Sequence, residues 1–545
     1  MEKPVTLDTL VSLAKRRGFV YPGSEIYGGL AGTFDYGPLG VTLKKNIENL
    51  WWRRAVEERD DMYGIDAAIL MNPKAWEASG HVSGFADPLV QCKKCSSKFR
   101  ADHLVTSVED YGVVQKEWIR RVDLINKKID QMPASSLEEL RAQYEPIRAA
   151  IEADSDITPE QKHAFISLYV RALDKLIERI DARIAVLQES ISLTEELERS
   201  QKYIGLVLQD YLNKFVSCPK CDAAEHWDTP TSFNMMFATK AGATDDDSAT
   251  VYLRPETAGG IFVNFKNVVD SFHPKLPFGI AQIGKAFRNE IAPREFVFRV
   301  RELEQMEVEY FVRPDAWEAA FEEWHGIMHA FAKEIGLPKE RLHDLEVEGS
   351  DLAHYSKRTI DFEYEFPFGR KELWGLAYRT DFDLKAHQEH SGQKLEFMDD
   401  TTGEKLVPHV IEPSLGVGRT LLAVLAAAYH EDDLGGETRV VLKLPSIIAP
   451  VKAMVSPLLK NKPELVERAR EVRKMLQKIH PAIAWDDNGN IGKRYRRQDE
   501  IGTPFCITID FDTLENGTVT LRDRDSGEQE RLSVEEVAAR IQAAI

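Results

Sequence analysis

The 545-residue sequence has few cysteines, no long apolar run and an excess of negative charge, and each of these features excludes a class of protein. The longest apolar run, residues 421–429, has fewer than half of the ~20 residues that span a bilayer, so we expect no membrane partner. With 70 Lys and Arg against 89 Asp and Glu, the net charge is -19. Because phosphate binding needs a positive surface, we expect no DNA partner, and any RNA contact must be local.

Length and composition predict a multidomain globular protein. A chain of 545 residues is too long for one typical core, and 43% hydrophobic with 29% charged residues is typical of soluble proteins. In the N-terminal segment the basic residues follow a short apolar stretch, which reverses the order found in secretory signals. We therefore expect a cytoplasmic location.

Four of the five cysteines form two C-x2-C pairs, Cys92 with Cys95 and Cys218 with Cys221. In a chain without a secretion signal, this pattern favours a structural zinc site over disulfides, although buried free cysteines are the alternative. The 122 residues between the pairs exceed the usual spacing. Residues 110–212 carry helical periodicity, so an inserted helical hairpin would explain the gap.

The rest of the chain alternates between strand and helix signals. Helices are predicted near residues 317–335 and 415–429, and a polar, glycine-bearing joint near 431–439. The last hundred residues alternate apolar strands with helices, which indicates a small α/β domain. The predicted domain limits are 1–88, 89–227, 228–435 and 436–545.

The alternation of charged and apolar residues in 279–311 predicts two charged strands. In residues 297–309 a period of two places six residues on one face: Arg299, Arg301, Leu303, Gln305, Glu307 and Glu309. The preceding strand is expected to carry Arg288 and Glu290 on a common side. An antiparallel hairpin with a polar face follows, which is either a binding site or a solvated face with cross-strand ion pairs.

Residues 412–425, "EPSLGVGRTLLAVL", combine a strand end, a glycine turn and an apolar helix. Gly416 and Gly418 let the backbone approach a ligand closely, and Arg419 can meet a phosphate. Two further segments have distinctive spacing, "MNPKAWEASGH" at 71–81 and "RPETAGGIFVNF" at 254–265.

With these motifs the sequence resembles the class II aminoacyl-tRNA synthetases, and among them the glycyl-tRNA synthetases of the dimeric α2 type, over nearly the whole chain. The helix at 39–59 and a strand ending at Pro73 resemble motif 1, "FRNE" with its returning strand resembles motif 2, and "GVGRT" resembles motif 3. The segment "GNIGKRYRRQDEIGTPFC" resembles the anticodon-binding domain of that family.

The resemblance implies an α+β fold in which a class II antiparallel-sheet catalytic core carries a helical insertion and a C-terminal α/β anticodon-binding domain. It implies ATP-dependent attachment of glycine to tRNA(Gly) through a glycyl-adenylate, by a homodimer. The apolar side of the motif 1 helix would form the two-fold interface or pack on its own sheet; its members are Leu43, Ile47, Leu50, Trp51 and Val56.

The resemblance also implies an ATP site. Its members would be Arg288, Asn289, Glu290, Phe298, Leu303, Glu372, Leu373, Gly416, Gly418 and Arg419. Arg288 and Arg419 would be catalytic, holding the α- and γ-phosphates, while Glu290 would bind the adenine amino group. Glu372 would bind the magnesium that accompanies ATP. Leu303 stands where the family usually carries phenylalanine, so we expect a weaker hold on adenine.

Glycine and tRNA sites follow from the same resemblance. Glycine would be held by Arg100, Glu256, Glu307, Glu412 and Ser414. Carboxylate and hydroxyl oxygens suit an ammonium group, and a tight pocket can exclude every larger amino acid by sterics.

A basic cluster would contact tRNA through Lys493, Arg494, Tyr495, Arg496 and Arg497, unless it is a solvated helix end. Two other functions remain open, a class II synthetase of another specificity and a catalytically inactive paralogue that binds RNA or regulates a partner.

Overall fold

The computed structural model describes residues 5–100, 217–229, 231–242, 249–347, 355–399, 403–434 and 436–545, together with residues 104, 213, 352 and 353. The predicted helical hairpin within 110–212 lies outside the described residues. The chain divides into two compact units, one of Met1–Val82 with Met236–Ile545 and the other of Ser83–Met235. The predicted domain limits stay predictions.

The helices are α1 (Leu7–Arg17), α2 (Pro38–Trp52), α3 (Pro73–Ala78), α4 (His81–Gly84), α5 (Ala258–Phe272), α6 (Trp317–Glu334), α7 (Phe382–Ser391), α8 (Val417–Ala428), α9 (Pro463–Gln477), α10 (Ile491–Ile501), α11 (Phe511–Asn516) and α12 (Val534–Ala543). Short 3-10 turns occur at Glu25–Tyr27, Phe296–Phe298 and Lys339–Arg341, and a π-helical turn at Arg53–Glu57. No helix in these described ranges is long and apolar enough to cross a membrane.

The strands are β1 (Val20–Pro22), β2 (Phe34–Tyr36), β3 (Met62–Gly64), β4 (Ala86–Gln91), β5 (Lys98–Arg100), β6 (Thr231–Asn234), β7 (Ala238–Lys240), β8 (Thr250–Tyr252), β9 (Phe278–Phe287), β10 (Glu302–Val312), β11 (Leu342–Val347), β12 (Arg358–Phe366), β13 (Gly369–Thr380), β14 (Phe397–Asp399), β15 (Glu404–Leu406), β16 (His409–Gly416), β17 (Tyr429–Leu434), β18 (Glu437–Leu442), β19 (Ala453–Pro457), β20 (Ile483–Trp485), β21 (Phe505–Ile509), β22 (Val519–Asp523) and β23 (Gln529–Leu532).

A seven-stranded sheet in the order β11-β12-β13-β16-β10-β9-β3 organises the first unit. Its strands pair antiparallel except β3, which runs parallel to β9. On β10 the period of two sends Met306, Val308 and Tyr310 into the main core with the apolar helix α8. Glu307 and Glu309 therefore belong to the opposite face, as the alternation predicts.

The C-terminal part of the first unit has its own core. A five-stranded sheet in the order β20-β19-β21-β22-β23 packs with α9 and α12 through residues such as Val455, Leu465, Ile507 and Val537. This pattern confirms the predicted α/β arrangement.

The predicted joint at 431–439 contains parts of β17 and β18, which pair antiparallel from Tyr429–Leu442 to Leu434–Glu437. The domain limit placed there stays a prediction.

Two predictions about local structure were wrong. Pro73 does not end a strand but begins α3, because proline suits a first helical position and the Asn72 side chain accepts from the amide of Lys74 at 3.0 Å. Strand β9 ends at Phe287, so Arg288 and Glu290 lie in the connection to β10 rather than on the strand.

The apolar side of α2 is buried within the chain. Leu43, Ile47, Leu50 and Trp51 are each at most 3% exposed, and Val56 in the following turn is 9% exposed. The Trp51 ring lies 5.1 Å from that of Phe331 on α6. These residues pack on their own sheet and helices, so they cannot supply a two-fold interface.

Candidate active site

A cavity of about 400 Å³ opens on the face of the seven-stranded sheet that carries Glu307, and the first turn of α8 contributes to its lining. The structure brings together many of the predicted residues in its lining: Glu256, Arg288, Glu290, Phe298, Leu303, Glu307, Glu372, Leu373, Glu412, Ser414, Gly416, Gly418 and Arg419. Asn289 is not among the lining residues. Glu256, Glu307 and Glu412 lie close together around Arg379, in a part of the cavity that we call the carboxylate end.

The start of α5 shapes the carboxylate end. A side chain at Gly259 would meet the Trp76 ring at 2.8 Å, so glycine lets α5 pack directly on α3. This packing fixes Thr257, the residue that precedes α5, beside β10. The amide and hydroxyl of Thr257 donate to one oxygen of Glu307, the amide at 3.1 Å.

Both carboxylate oxygens of Glu307 accept hydrogen bonds. Its second oxygen accepts from the Ser414 hydroxyl at 2.7 Å and from the Gln305 amide at 3.2 Å. Ser414 can reach it because the two residues are direct partners across β10 and β16. This network orients the carboxylate at the cavity wall while the side chain itself is only 3% exposed.

Arg379 was missed by the sequence reasoning, although it is central to this end of the cavity. Its guanidinium donates to Glu412 at 2.8 Å and to both oxygens of Asp383 at 2.7 and 2.8 Å. It also lies 3.9 Å from the centre of the Tyr355 ring. The available signal was an arginine near the end of an apolar strand with an aspartate four residues later.

Glu256 pairs with another residue that the sequence reasoning missed. The Nε2 atom of His81 lies 3.3 Å from its carboxylate. Burial by itself would raise the pKa of Glu256, but the charges of His81, Arg379 and Arg288 outweigh it and lower the pKa to about 2. Glu256 is therefore ionised at neutral pH.

The remaining carboxyls of this end carry more negative charge than the neighbouring cations balance. Burial, with Glu307 and Glu256 nearby, raises the pKa of Glu412 to about 8 despite its bond to Arg379. Burial, with the charge of Glu256, also raises the pKa of Glu307, against the hydrogen bonds it accepts.

Glu309 lies next to Glu412 across the same two strands and is fully buried. Neither of its carboxyl oxygens has a hydrogen-bond partner among the described residues. Burial, with the charge of Glu412, raises its pKa well above the ordinary value. This end of the cavity therefore suits a small cationic ligand.

Two further arginines line the cavity, and one of them, Arg288, is near enough to Glu256 to lower the pKa of that carboxyl. Arg288 donates to the carbonyl of Pro255 at 3.0 Å, which ties the β9–β10 connection to the segment before α5. Arg419 lies over the Phe298 ring, 4.5 Å from its centre, and its Nη1 is 3.1 Å from a Glu372 oxygen. Burial, with Glu372 and Glu363 nearby, raises the pKa of Asp361 to about 6.

The two glycines of the turn differ in what they permit. A side chain at Gly418 would meet the carbonyl of Val297 at 3.0 Å, so glycine is needed for the packing of the α8 start on the β9–β10 connection. A side chain at Gly416 would touch only the Arg419 side chain, at 3.8 Å. The close approach that Gly418 permits is therefore to the protein's own backbone, at the carbonyl of Val297.

The two cysteine pairs meet in the second unit. Cys92 lies 3.8 Å from Cys221 and Cys95 lies 3.7 Å from Cys218, both measured between sulfurs. All four sulfurs lie within 4.8 Å of one another. Tetrahedral zinc with Zn–S bonds of ~2.3 Å needs sulfurs about 3.8 Å apart, so the four cysteines fit the metal.

Each cysteine pair is shaped by a similar turn. The amide of Ser96 donates to the carbonyl of Cys92, and the amide of Asp222 donates to that of Cys218, both at 2.8 Å. Ser96 and Asp222 both have positive φ.

Arg100 also lies in the second unit, at the end of β5, where its guanidinium pairs with Asp87 at 2.7 Å. Its predicted contact with glycine stays a prediction.

The basic cluster lies on α10, and its residues differ in accessibility. Lys493 is exposed, and Arg496 and Arg497 are partly exposed. Arg494 is only 1% exposed, and its guanidinium donates to the Ser456 hydroxyl and to backbone carbonyls, including that of Gly489.

Arg494 therefore braces the C-terminal fold, and its geometry does not fit the predicted RNA contact. The Tyr495 hydroxyl is likewise engaged, with Thr508 at 2.7 Å.

Comparison with known proteins relates both parts of the first unit to translation enzymes. Residues 237–428 match the family "tRNA synthetase class II core domain (G, H, P, S and T)", and residues 452–544 match "Anticodon binding domain". These matches confirm the predicted fold class for the core and the C-terminal domain.

Curated relatives match over nearly the whole chain. The glycine–tRNA ligases of Clostridium acetobutylicum and Caldanaerobacter subterraneus are each 45% identical, with 98% of both chains covered. That of Geobacillus thermodenitrificans is 42% identical, with 98% of this chain and 96% of the relative covered.

Proposed function

Because the chain belongs to the glycine–tRNA ligases, a family of class II aminoacyl-tRNA synthetases, we propose that the cavity is where glycine and ATP react. The enzyme attaches glycine to tRNA at the expense of ATP, and the predicted function is confirmed at this level. The individual site residues, the metals, the α2 dimer, the domain limits and the cytoplasmic location are finer proposals.

The excess of negative charge at the carboxylate end carries the assignment of the glycine subsite. Glu256, Glu307 and Glu412 come from separate elements and converge on one end of the cavity. Burying unbalanced carboxylates is costly unless a cation offsets them, and the ammonium group of an amino acid is such a cation. We assign these three carboxylates and the Ser414 hydroxyl to ammonium binding, with Arg379 fixing the position of Glu412.

Two arginines in the cavity lining, Arg288 and Arg419, support binding of the triphosphate. Arg288 and Arg419 each present a planar guanidinium that suits phosphate oxygens. In the first step a carboxylate oxygen of glycine attacks the α-phosphorus, forming the adenylate and releasing pyrophosphate. The contribution of this chain is positioning and stabilisation of charge on the phosphate, and no protein nucleophile is required.

Adenine and magnesium binding complete the proposal for ATP. Leu303 offers adenine an apolar contact without an aromatic face, and Glu290 lines the same cavity. Glu372 and Asp361 provide the carboxylate oxygens that a hard cation prefers, and burial, with Glu372 and Glu363 nearby, raises the pKa of Asp361 to about 6. Bound magnesium would offset charge on the phosphates.

Two further assignments concern structure and RNA. We assign Cys92, Cys95, Cys218 and Cys221 to a structural zinc, which would hold the two turns of the second unit together. Lys493, Arg496 and Arg497 remain the candidates for a local tRNA contact in a protein of net charge -19.

The α2 dimer rests on the family resemblance and on an exposed apolar segment, in which Ile26 is 88%, Tyr27 87% and Leu30 61% exposed.

Amino-acid-dependent exchange between ATP and pyrophosphate tests the proposed function. We expect exchange with glycine and with none of the other nineteen standard amino acids, followed by charging of tRNA(Gly). Exchange with a different amino acid would assign another specificity. No exchange with any amino acid, from a folded protein, would indicate an inactive paralogue.

A further inference from the structure

Two histidines of α6 and one aspartate of β11 converge at the edge of the seven-stranded sheet. His325 and His329 are separated by one helical turn, and their Nε2 atoms lie 2.8 and 3.0 Å from the same oxygen of Asp344. The three ligand atoms all lie within 4.8 Å of one another. The cluster is separate from the residues that line the cavity and from the four cysteines.

The surrounding packing holds this geometry in place. Helix α6 buries Phe321, Trp324 and Met328 against the core, so His325 and His329 lie on its flank. Asp344 stands opposite Phe362 in the β11–β12 ladder. The buried Phe362 ring lies 5.4 and 5.1 Å from the two imidazole rings, giving the cluster an apolar neighbour.

A second contact binds the same helix and strand together. Arg358 of β12 pairs with Glu322 of α6 at 2.7 Å and with Glu346 of β11 at 2.8 Å. Its charge is therefore offset by two carboxylates.

We propose that His325, His329 and Asp344 form a site for a divalent transition metal such as zinc, which fastens the edge strand β11 to α6. Two histidines at i and i+4 of one helix face, with a carboxylate from a neighbouring element, supply ligand types that zinc accepts. The three side chains are each between 23% and 35% exposed, so water can complete the coordination. A metal would replace the two imidazole hydrogens that otherwise bridge to Asp344.

Zinc uptake by the full-length protein tests this site. The wild type, His329→Ala and His343→Ala are dialysed against micromolar zinc, and bound metal is counted per chain. His343 is the matched control, because it neighbours Asp344 on β11 but pairs with Glu365, at 2.9 Å. We expect His329→Ala to bind one zinc fewer than the wild type, and His343→Ala to bind the same number.

Equal zinc content in His329→Ala and the wild type would overturn the proposal. The cysteines are intact in every variant, so the difference does not depend on them. Thermal unfolding gives a second readout: zinc should raise the Tm of the wild type by more than that of His329→Ala, in which only the cysteine cluster can bind it. If His329→Ala does not fold, Asp344→Asn keeps the shape of the side chain and should lose the same zinc.

Discussion

Glycine binding should become stronger as the pH rises from 6 to 7, because the ammonium group needs ionised carboxylates. Glu412 lies among Glu256, Glu307 and Glu309, and Arg379 with its partner Asp383 is the nearest cationic group. Burial raises the pKa of Glu412 to about 8 in the absence of ligand. Below that pH Glu412 is mostly protonated, and binding an ammonium requires it to release its proton.

The size of the effect follows from that pKa. A carboxyl with a pKa of about 8 is ionised in about 1% of molecules at pH 6 and about 9% at pH 7. If only the ionised form binds glycine, the affinity rises about tenfold across this interval. The pKa of α-amino groups, about 7.7 to 8.0, lies above this interval, so the ligand stays mostly cationic.

The pH dependence of glycine binding is measured as the glycine KM in ATP–pyrophosphate exchange at saturating ATP, from pH 6 to 7. The ATP KM over the same interval serves as the control. Glu412→Gln should bind glycine more weakly and show a flat profile, whereas Glu309→Gln should keep the rise because Glu309 does not line the cavity. A wild-type profile that is flat, or that favours low pH, would refute the reasoning. A rise that persists in Glu412→Gln would show that a group other than Glu412 causes it.

Four other predictions follow from the same structure. Glu307→Gln should raise the glycine KM strongly and leave the ATP KM nearly unchanged; unchanged glycine kinetics would remove Glu307 from the subsite. Leu303→Phe should lower the ATP KM, and a KM that stays the same would contradict the proposed adenine contact. Cys218→Ser should lose the zinc of the cysteine cluster, which metal analysis of protein prepared without chelator would detect. Arg494→Ala should cost about 3 kcal/mol or more of unfolding free energy in denaturant titrations, because it leaves buried carbonyls unpaired; an unchanged stability would contradict its bracing role.

Local patterns predicted much of the fold before any long-range contact was known. The apolar run after the glycine turn forms α8 at Val417–Ala428, within the predicted range 415–429. The alternation along β10 placed Met306 and Glu307 on opposite faces, because successive strand residues point to opposite sides. Strand boundaries were less accurate, since the connection 288–301 continues the charged pattern of the strands it joins.

The sequence by itself determined the family and the order of the motifs, and most of the residues it predicted for ATP and glycine line the cavity, because these features depend on residue type and spacing along the chain. Only the tertiary structure decided how those residues are paired. Arg379 and His81 are far in sequence from Glu412 and Glu256, and sheet register and helix packing bring them together. The fold likewise buries Arg494 and leaves its basic neighbours on α10 at least partly exposed, because the accessibility of a guanidinium depends on what packs around it.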